Sequence, residues 1–200
     1  MAKTSAPLFG FGASGKLGDA LVFGKWKGID VARAYVIPAN PRTAAQTTQR
    51  SYLADAVDEW HTTGADALEG ADKLAWNRYA GVLGKMSGFN AFCREFVNEL
   101  VAGGTPPGHF FNMDLTDPDA AAFDVDIDST GLTTENVTLH LGSSKSFFEV
   151  TSTEAAVAGV ATFANVNTGF GAGTTVYFYF DVGTPGTDYM RSGLYTAVLS

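Results

Sequence analysis

One short run divides this chain. Gly103-Gly104-Thr105-Pro106-Pro107-Gly108 is built from residues that stop both helices and strands. Before it, apolar residues recur at helical spacing. After it, that period disappears, and short β-rich runs follow one another at intervals typical of a sandwich. A chain patterned this way belongs to the α+β class, with helices and strands in separate stretches. With 200 residues, 46% of them apolar, there is material for a proper core. The 23 glycines and only 17% charged residues favour sheets and turns over a solvated helical bundle.

Three helices are expected between residues 39 and 104. Thr43 with Gln46 has capping-box spacing, so the first helix starts there and runs to about Trp60, with Leu53, Val57 and Trp60 on one face. Asp66 with Glu69 suggests a second box, followed by a stripe of Trp76, Tyr79, Leu83 and Met86. Ser87 suits the N-cap of a third helix, whose stripe is Phe89, Phe92, Phe96 and Leu100. Cys93 is the single cysteine, so no intrachain disulfide forms, and its phenylalanine neighbours point to packing rather than reactivity.

Seven strands are expected over residues 105–200: 109–115, 123–128, 136–141, 147–151, 159–166, 174–181 and 195–199. That number suits an immunoglobulin-like β-sandwich. Residues 1–14 read as an extended arm. Residues 19–25 and 29–37 read as a two-stranded hairpin, reversed at Trp26-Lys27-Gly28. Such a hairpin is marginal alone and needs a surface to lean on. The domain plan is therefore 1–38 arm and hairpin, 39–104 helical domain, 105–200 sandwich.

Charge is distributed unevenly. Residues 1–50 hold seven Lys/Arg and two acids, whereas residues 106–200 hold two Lys/Arg and eleven acids. A basic leading segment suits an acidic partner surface or the acidic end of another copy. Direct contact with DNA is not expected, because the acidic remainder repels phosphate. The N-terminus lacks the apolar core of a signal peptide, and no apolar run reaches the length of a membrane span.

Chemistry-bearing motifs are incomplete. Gly10-Phe11-Gly12-Ala13-Ser14-Gly15-Lys16 resembles a nucleotide loop but has β-rich sequence after it and Leu17 where Ser or Thr would meet magnesium. Asp124, Asp126 and Asp128, with Glu135 at the twelfth position, resemble a calcium loop, yet the sixth position is Ser129 and no helices flank it. On a strand the three carboxylates share one face, while Phe123, Val125 and Ile127 share the other. His61, His109 and His140 lack zinc-ligand spacing, and no nucleophile-elbow motif is present. The expectation is a non-enzyme without cofactor, metal or small-molecule substrate.

The residues expected to hold a partner are Lys16, Lys25, Trp26, Lys27 and Arg33, cations around an aromatic anchor. They fall within Ser14-Gly15-Lys16-Leu17-Gly18, Trp26-Lys27-Gly28-Ile29-Asp30 and Asn40-Pro41-Arg42-Thr43 with Gln46, Gln49 and Arg50. There the chain resembles a family of short phage- and prophage-associated proteins with a glycine-rich N-terminal hairpin and a β-rich C-terminal part. The resemblance is close over residues 10–60, weaker over 70–100, where Trp76 and Gly88-Phe89-Asn90-Ala91-Phe92 look similar, and only architectural beyond 106. Gly64–Gly70 departs from the pattern. The resemblance carries no catalytic residues and implies a virion setting. A minor capsid or decoration protein is expected, made in the host cytoplasm, with virion subunits and its own copies as partners. A head–tail connector or tail component, a host-glycan binder using Tyr177, Tyr179 and Tyr189, and a DNA-packaging factor are the alternatives.

Overall fold

The computed structural model describes residues 2–3, 14–104 and 108–200. The arm proper, most of the glycine-rich motif at 10–15 and Thr105–Pro107 lie outside the described residues. The chain forms two compact units, Met1–Thr43 and Ala44–Ser200.

In the first unit the expected hairpin is the centre of a larger sheet. Strands β1 (Ala2–Lys3), β2 (Gly15–Leu17), β3 (Leu21–Trp26) and β4 (Ile29–Ala34) lie in the order β1-β4-β3-β2. All the pairs are antiparallel. Trp26 faces Ile29 across a two-residue turn, where Lys27 and Gly28 both take positive φ (51° and 80°). Two successive left-handed residues make the reversal whose twist matches the flanking strands. Strands β1 and β2 have two and three residues, too few for periodicity to reveal.

The second unit opens with helices α1 (Ala44–Trp60), α2 (Gly70–Leu83) and α3 (Gly88–Ala102). Ser87 caps α3 as expected, its hydroxyl accepting the Asn90 N–H at 3.3 Å. Gly103 closes the helix in the left-handed conformation. Phe92 is the centre of the helical core, with ring centroids 5.3 Å from Trp60, 5.2 Å from Trp76 and 5.9 Å from Phe96. Cys93 is buried in the same cluster, and burial pushes its thiol pKa up.

Two helix expectations need correction. Leu53 is half exposed; Val57 and Trp60 are partly buried as expected, and the inward face of α1 is completed by Tyr52, Ala56 and Glu59 instead of Leu53. The start of α2 pairs Glu69 with Asp72, not Asp66 with Glu69. Asp72 Oδ2 accepts the Glu69 N–H at 3.0 Å because the helix begins at Gly70, later than expected.

Eight strands follow: β5 (Phe110–Pro118), β6 (Phe123–Ser129), β7 (Asn136–Gly142), β8 (Val150–Ala155), β9 (Val160–Val166), β10 (Thr175–Thr184), β11 (Thr187–Arg191) and β12 (Tyr195–Val198). Seven correspond to the expected runs, with the fourth displaced toward the C-terminus, and β11 is additional. One sheet has the order β5-β6-β9. The other has β11-β10-β7-β8, with β12 also on β10. All pairs are antiparallel. Phe123, Val125, Ile127 and Phe163 of the first sheet pack against Leu139, Leu141, Phe178 and Phe180 of the second, all at most 1% exposed. Phe123 meets Phe178 edge-on at 5.4 Å. Strand alternation places these side chains inward and their polar neighbours outward.

Helices and sheets share one compact unit, so the change of pattern near residue 104 is a change of element type within that unit. Buried polar side chains join the two parts. Asp72 on α2 accepts the Tyr195 hydroxyl of β12 at 2.7 Å and the Asn112 N–H of β5 at 3.2 Å. Glu99 on α3 accepts the N–H groups of Gly186 (2.7 Å) and Tyr189 (3.1 Å) at the β10–β11 hairpin. His109, before β5, has Nδ1 2.7 Å from Glu59 Oε1 of α1 and Nε2 2.8 Å from the Asp66 carbonyl oxygen. A carbonyl only accepts, so Nε2 carries a proton. The hydrogen bond between His109 Nδ1 and Glu59 holds the Glu59 carboxyl below its usual range.

Strands β11 and β12 run along the same edge of β10 and are separated by Ser192-Gly193-Leu194. The Leu194 N–H donates to the Ala75 carbonyl of α2 at 2.9 Å. A Cβ at Gly193 would lie 2.4 Å from the Trp76 backbone nitrogen. The last edge strand is interrupted where the helix presses against it.

Candidate partner-binding surface

Alternation sorts the first unit's sheet into two faces. Lys16 sits opposite Val22, and Val22 opposite Arg33. Gly24 with Val31 and Trp26 with Ile29 continue the same face. Phe23 with Ala32 and Lys25 with Asp30 belong to the reverse face. By strand register the five expected anchors therefore do not all share one face. Lys16, Trp26 and Arg33 share a face, Lys25 is behind it, and Lys27 occupies the turn at the tip.

Their partners differ too. Lys16 pairs with Asp19 at 2.7 Å and stands 4.3 Å over the Tyr35 ring. Lys25 Nζ is 3.9 Å from Asp30 Oδ1, a buried oxygen without a hydrogen bond. Lys27 is 6.0 Å from the Trp26 ring centroid. Among the described residues Arg33 has no ion pair. It lines a groove with Lys16, Val22, Tyr35 and Pro38, and an adjoining recess with Lys25, Trp26 and Val31. Trp26 is 63% exposed, and Ile29 and Leu17 are also open.

None of the described residues 14–43 is buried; Val22, Phe23, Val31 and Ala32 are half-buried at most. A sheet of this composition ordinarily hides one face against a second layer. Here an apolar strip rimmed by cations is presented instead, and such strips mark contact surfaces.

The other expected sites lie in the second unit. Asp124, Asp126 and Asp128 alternate with the buried Phe123, Val125 and Ile127. Glu135 turns back to accept the Thr133 and Thr134 N–H groups at 2.6 and 2.9 Å, which lowers its pKa. Among the described residues no group of three or more His, Cys, Asp or Glu side chains is gathered to hold a metal ion.

Tyr177 and Tyr179 face outward on β10, away from Phe178 and Phe180. His140, from β7 on one side, stacks on Tyr179 at 4.5 Å and 8°. Arg191, from β11 on the other side, stands 4.4 Å over the same ring and 3.9 Å over Tyr79 of α2. Phe148 meets its edge at 4.8 Å. Lys145 is 5.6 Å over Tyr177. Burial raises the Tyr189 pKa. These rings serve first as internal packing. His140 also pairs with Asp181 at 3.1 Å.

The structurally decisive acids Glu59, Asp72 and Glu99 were missed as a group, although a signal exists. Each falls on the inward stripe of its helix, Glu59 three after Ala56, Asp72 four before Trp76, and Glu99 three after Phe96. An acid at such a position needs a buried partner.

No helix among the described residues is long and apolar enough to cross a membrane. In comparisons with known proteins, the chain matches no protein-family model and no curated protein.

Proposed function

We propose that this chain is a structural component of a bacteriophage particle, a minor capsid or decoration protein held to neighbouring subunits by residues 1–43. The observation that carries the reading is the sheet without a buried residue among those described. Its Lys16, Trp26 and Arg33 face offers an aromatic anchor, aliphatic neighbours and positive charge to an acidic surface. The second unit, with its own cores, is the module displayed. We read its sandwich as immunoglobulin-like. Strands β5-β6-β9 against β8-β7-β10 with β11 and β12, and a chain that crosses between sheets after β6, β8 and β9, support that assignment. Loops at the ends of such a sandwich can vary without disturbing the core, which suits an outward position.

The test is deletion of residues 1–43. The shortened chain, which retains both cores, is expected to stay folded by circular dichroism and to be missing from purified particles. Incorporation at the full-length level would overturn the anchoring role.

A further inference from the structure

The exposed sheet face needs an occupant, and the same chain offers one of complementary charge. We propose that the face carrying Lys16, Trp26 and Arg33 docks onto the outer face of the β5-β6-β9 sheet of a second copy, joining copies head to tail. This rests on the anchoring role proposed above and names its partner.

The receiving face is defined by register. Asp124, Asp126 and Asp128 alternate outward along β6. Asp114 stands directly opposite Asp126, and Asp117 opposite Asp124, across the β5–β6 ladder. Like charges directly opposite one another destabilise a sheet. Among the described residues none of the five has an ion pair. Asn112 Nδ2 donates to Asp128 at 2.7 Å and the Asn165 N–H to Asp124 at 2.5 Å, whereas the side chains of Asp114, Asp117 and Asp126 have no hydrogen-bond partner among the described residues. No cation within the described chain pairs with these carboxylates, and an arriving one would offset the repulsion.

The donor face matches in charge and in kind. Residues 14–43 carry five Lys/Arg against two acids, and residues 106–200 carry two against eleven. Among the described residues Arg33 is without an ion pair, and Lys16 is held by the exposed Asp19 and the Tyr35 ring. Beside the carboxylates, β9 presents Val160 and Thr162, opposite Asp128 and Asp126. Val160 is 37% exposed and gives Trp26, Val22 and Val31 an apolar strip to cover. Both surfaces are antiparallel strands about 4.8 Å apart, with same-face side chains ~7 Å apart along each strand. The two faces belong to different units of the chain, so the contact is heterologous. Such contacts repeat from copy to copy and build rings or open rows.

The test is sedimentation velocity on the full chain. Oligomers are expected at about 0.1 M salt, where the Debye length is ~10 Å, and they should dissociate at about 1 M, where it is ~3 Å. K16E/R33E and D114K/D126K should each raise the self-dissociation constant about tenfold or more, and an equimolar mixture of the two should recover association. Unchanged thermal unfolding of each variant shows that folding is not the cause; if either unfolds, Trp26→Ala replaces it with the same expected loss. A full chain that stays monomeric at low salt, or variants that associate like the parent, would overturn self-docking. If the full chain is monomeric while deletion of residues 1–43 still removes it from particles, only the identity of the partner is wrong. If the deletion has no effect on particles, the anchoring role itself fails.

Discussion

Phe23 and Phe178 occupy the same kind of place, the interior strand of an antiparallel sheet. Phe178 is fully buried, wedged between Phe123 and Tyr195, while Phe23 is half covered and faces no second layer among the described residues. Both strands are paired on each side in antiparallel ladders. The difference lies in what their faces touch, and it shows that hydrogen-bonded strands alone do not make a core. Net stabilisation comes from removing apolar surface from water, at about 25 cal/mol per Å², and the N-terminal sheet has removed little. The second unit has its own cores, and the first has no buried residue among those described.

The sharpest way to break that contrast is to remove the two rings. Phe178→Ala should cost about 3–5 kcal/mol in denaturant unfolding of the full chain. Phe23→Ala should cost less than about 1 kcal/mol, because the ring is only partly covered. Equal losses would mean that the first sheet has a core after all.

Next in size is the Asp72 junction. Asp72→Ala leaves the Tyr195 hydroxyl and the Glu69 and Asn112 N–H groups without their acceptor and should cost about 3 kcal/mol. Burial, with the negative Asp72 beside it, holds the Tyr195 phenol protonated well beyond its usual range. A double-mutant cycle with Tyr195→Phe should therefore show strong coupling. Additivity would mean that helix and sandwich are joined by contacts other than this one.

Acid titration gives a smaller effect. The folded-state Glu59 carboxyl lies below the ordinary 4.5, so its contribution is fully present above that value and is lost as pH falls through the folded pKa. Thermal unfolding between neutral pH and about pH 3 should show a loss that Glu59→Gln reduces. An identical acid profile in the variant would remove the Glu59–His109 pair from the account.

Smallest in stability is Trp26→Ala, which should change unfolding by no more than about 0.5 kcal/mol because the ring is already in water. Amide exchange should likewise be fast over residues 14–43 and slow over the strands of the sandwich. Slow exchange throughout the first sheet of an isolated chain would contradict the contrast at its root.

Periodicity over a few neighbours was enough to place the three helices, the Ser87 cap, the turn at Lys27-Gly28 and seven of the eight sandwich strands. The alternation at 123–129 even fixed which side chains enter the core. These features are local, since a helix stripe or a strand face is written in residues two to four apart. Only the tertiary structure decided the rest. Thr187–Arg191 is too polar to read as a strand, and it is one because β10 offers it an edge. Leu53 is half exposed while Ala56 of the same helix is fully buried, which the apolar spacing did not distinguish. The anchors of the first unit divide between two faces because register, absent from composition, assigns Lys25 to the reverse side. The buried acids find partners far along the chain, as Asp72 does 123 residues away at Tyr195. A sequence states locally that a charge falls on an inward stripe; the group that satisfies it is chosen when distant elements meet.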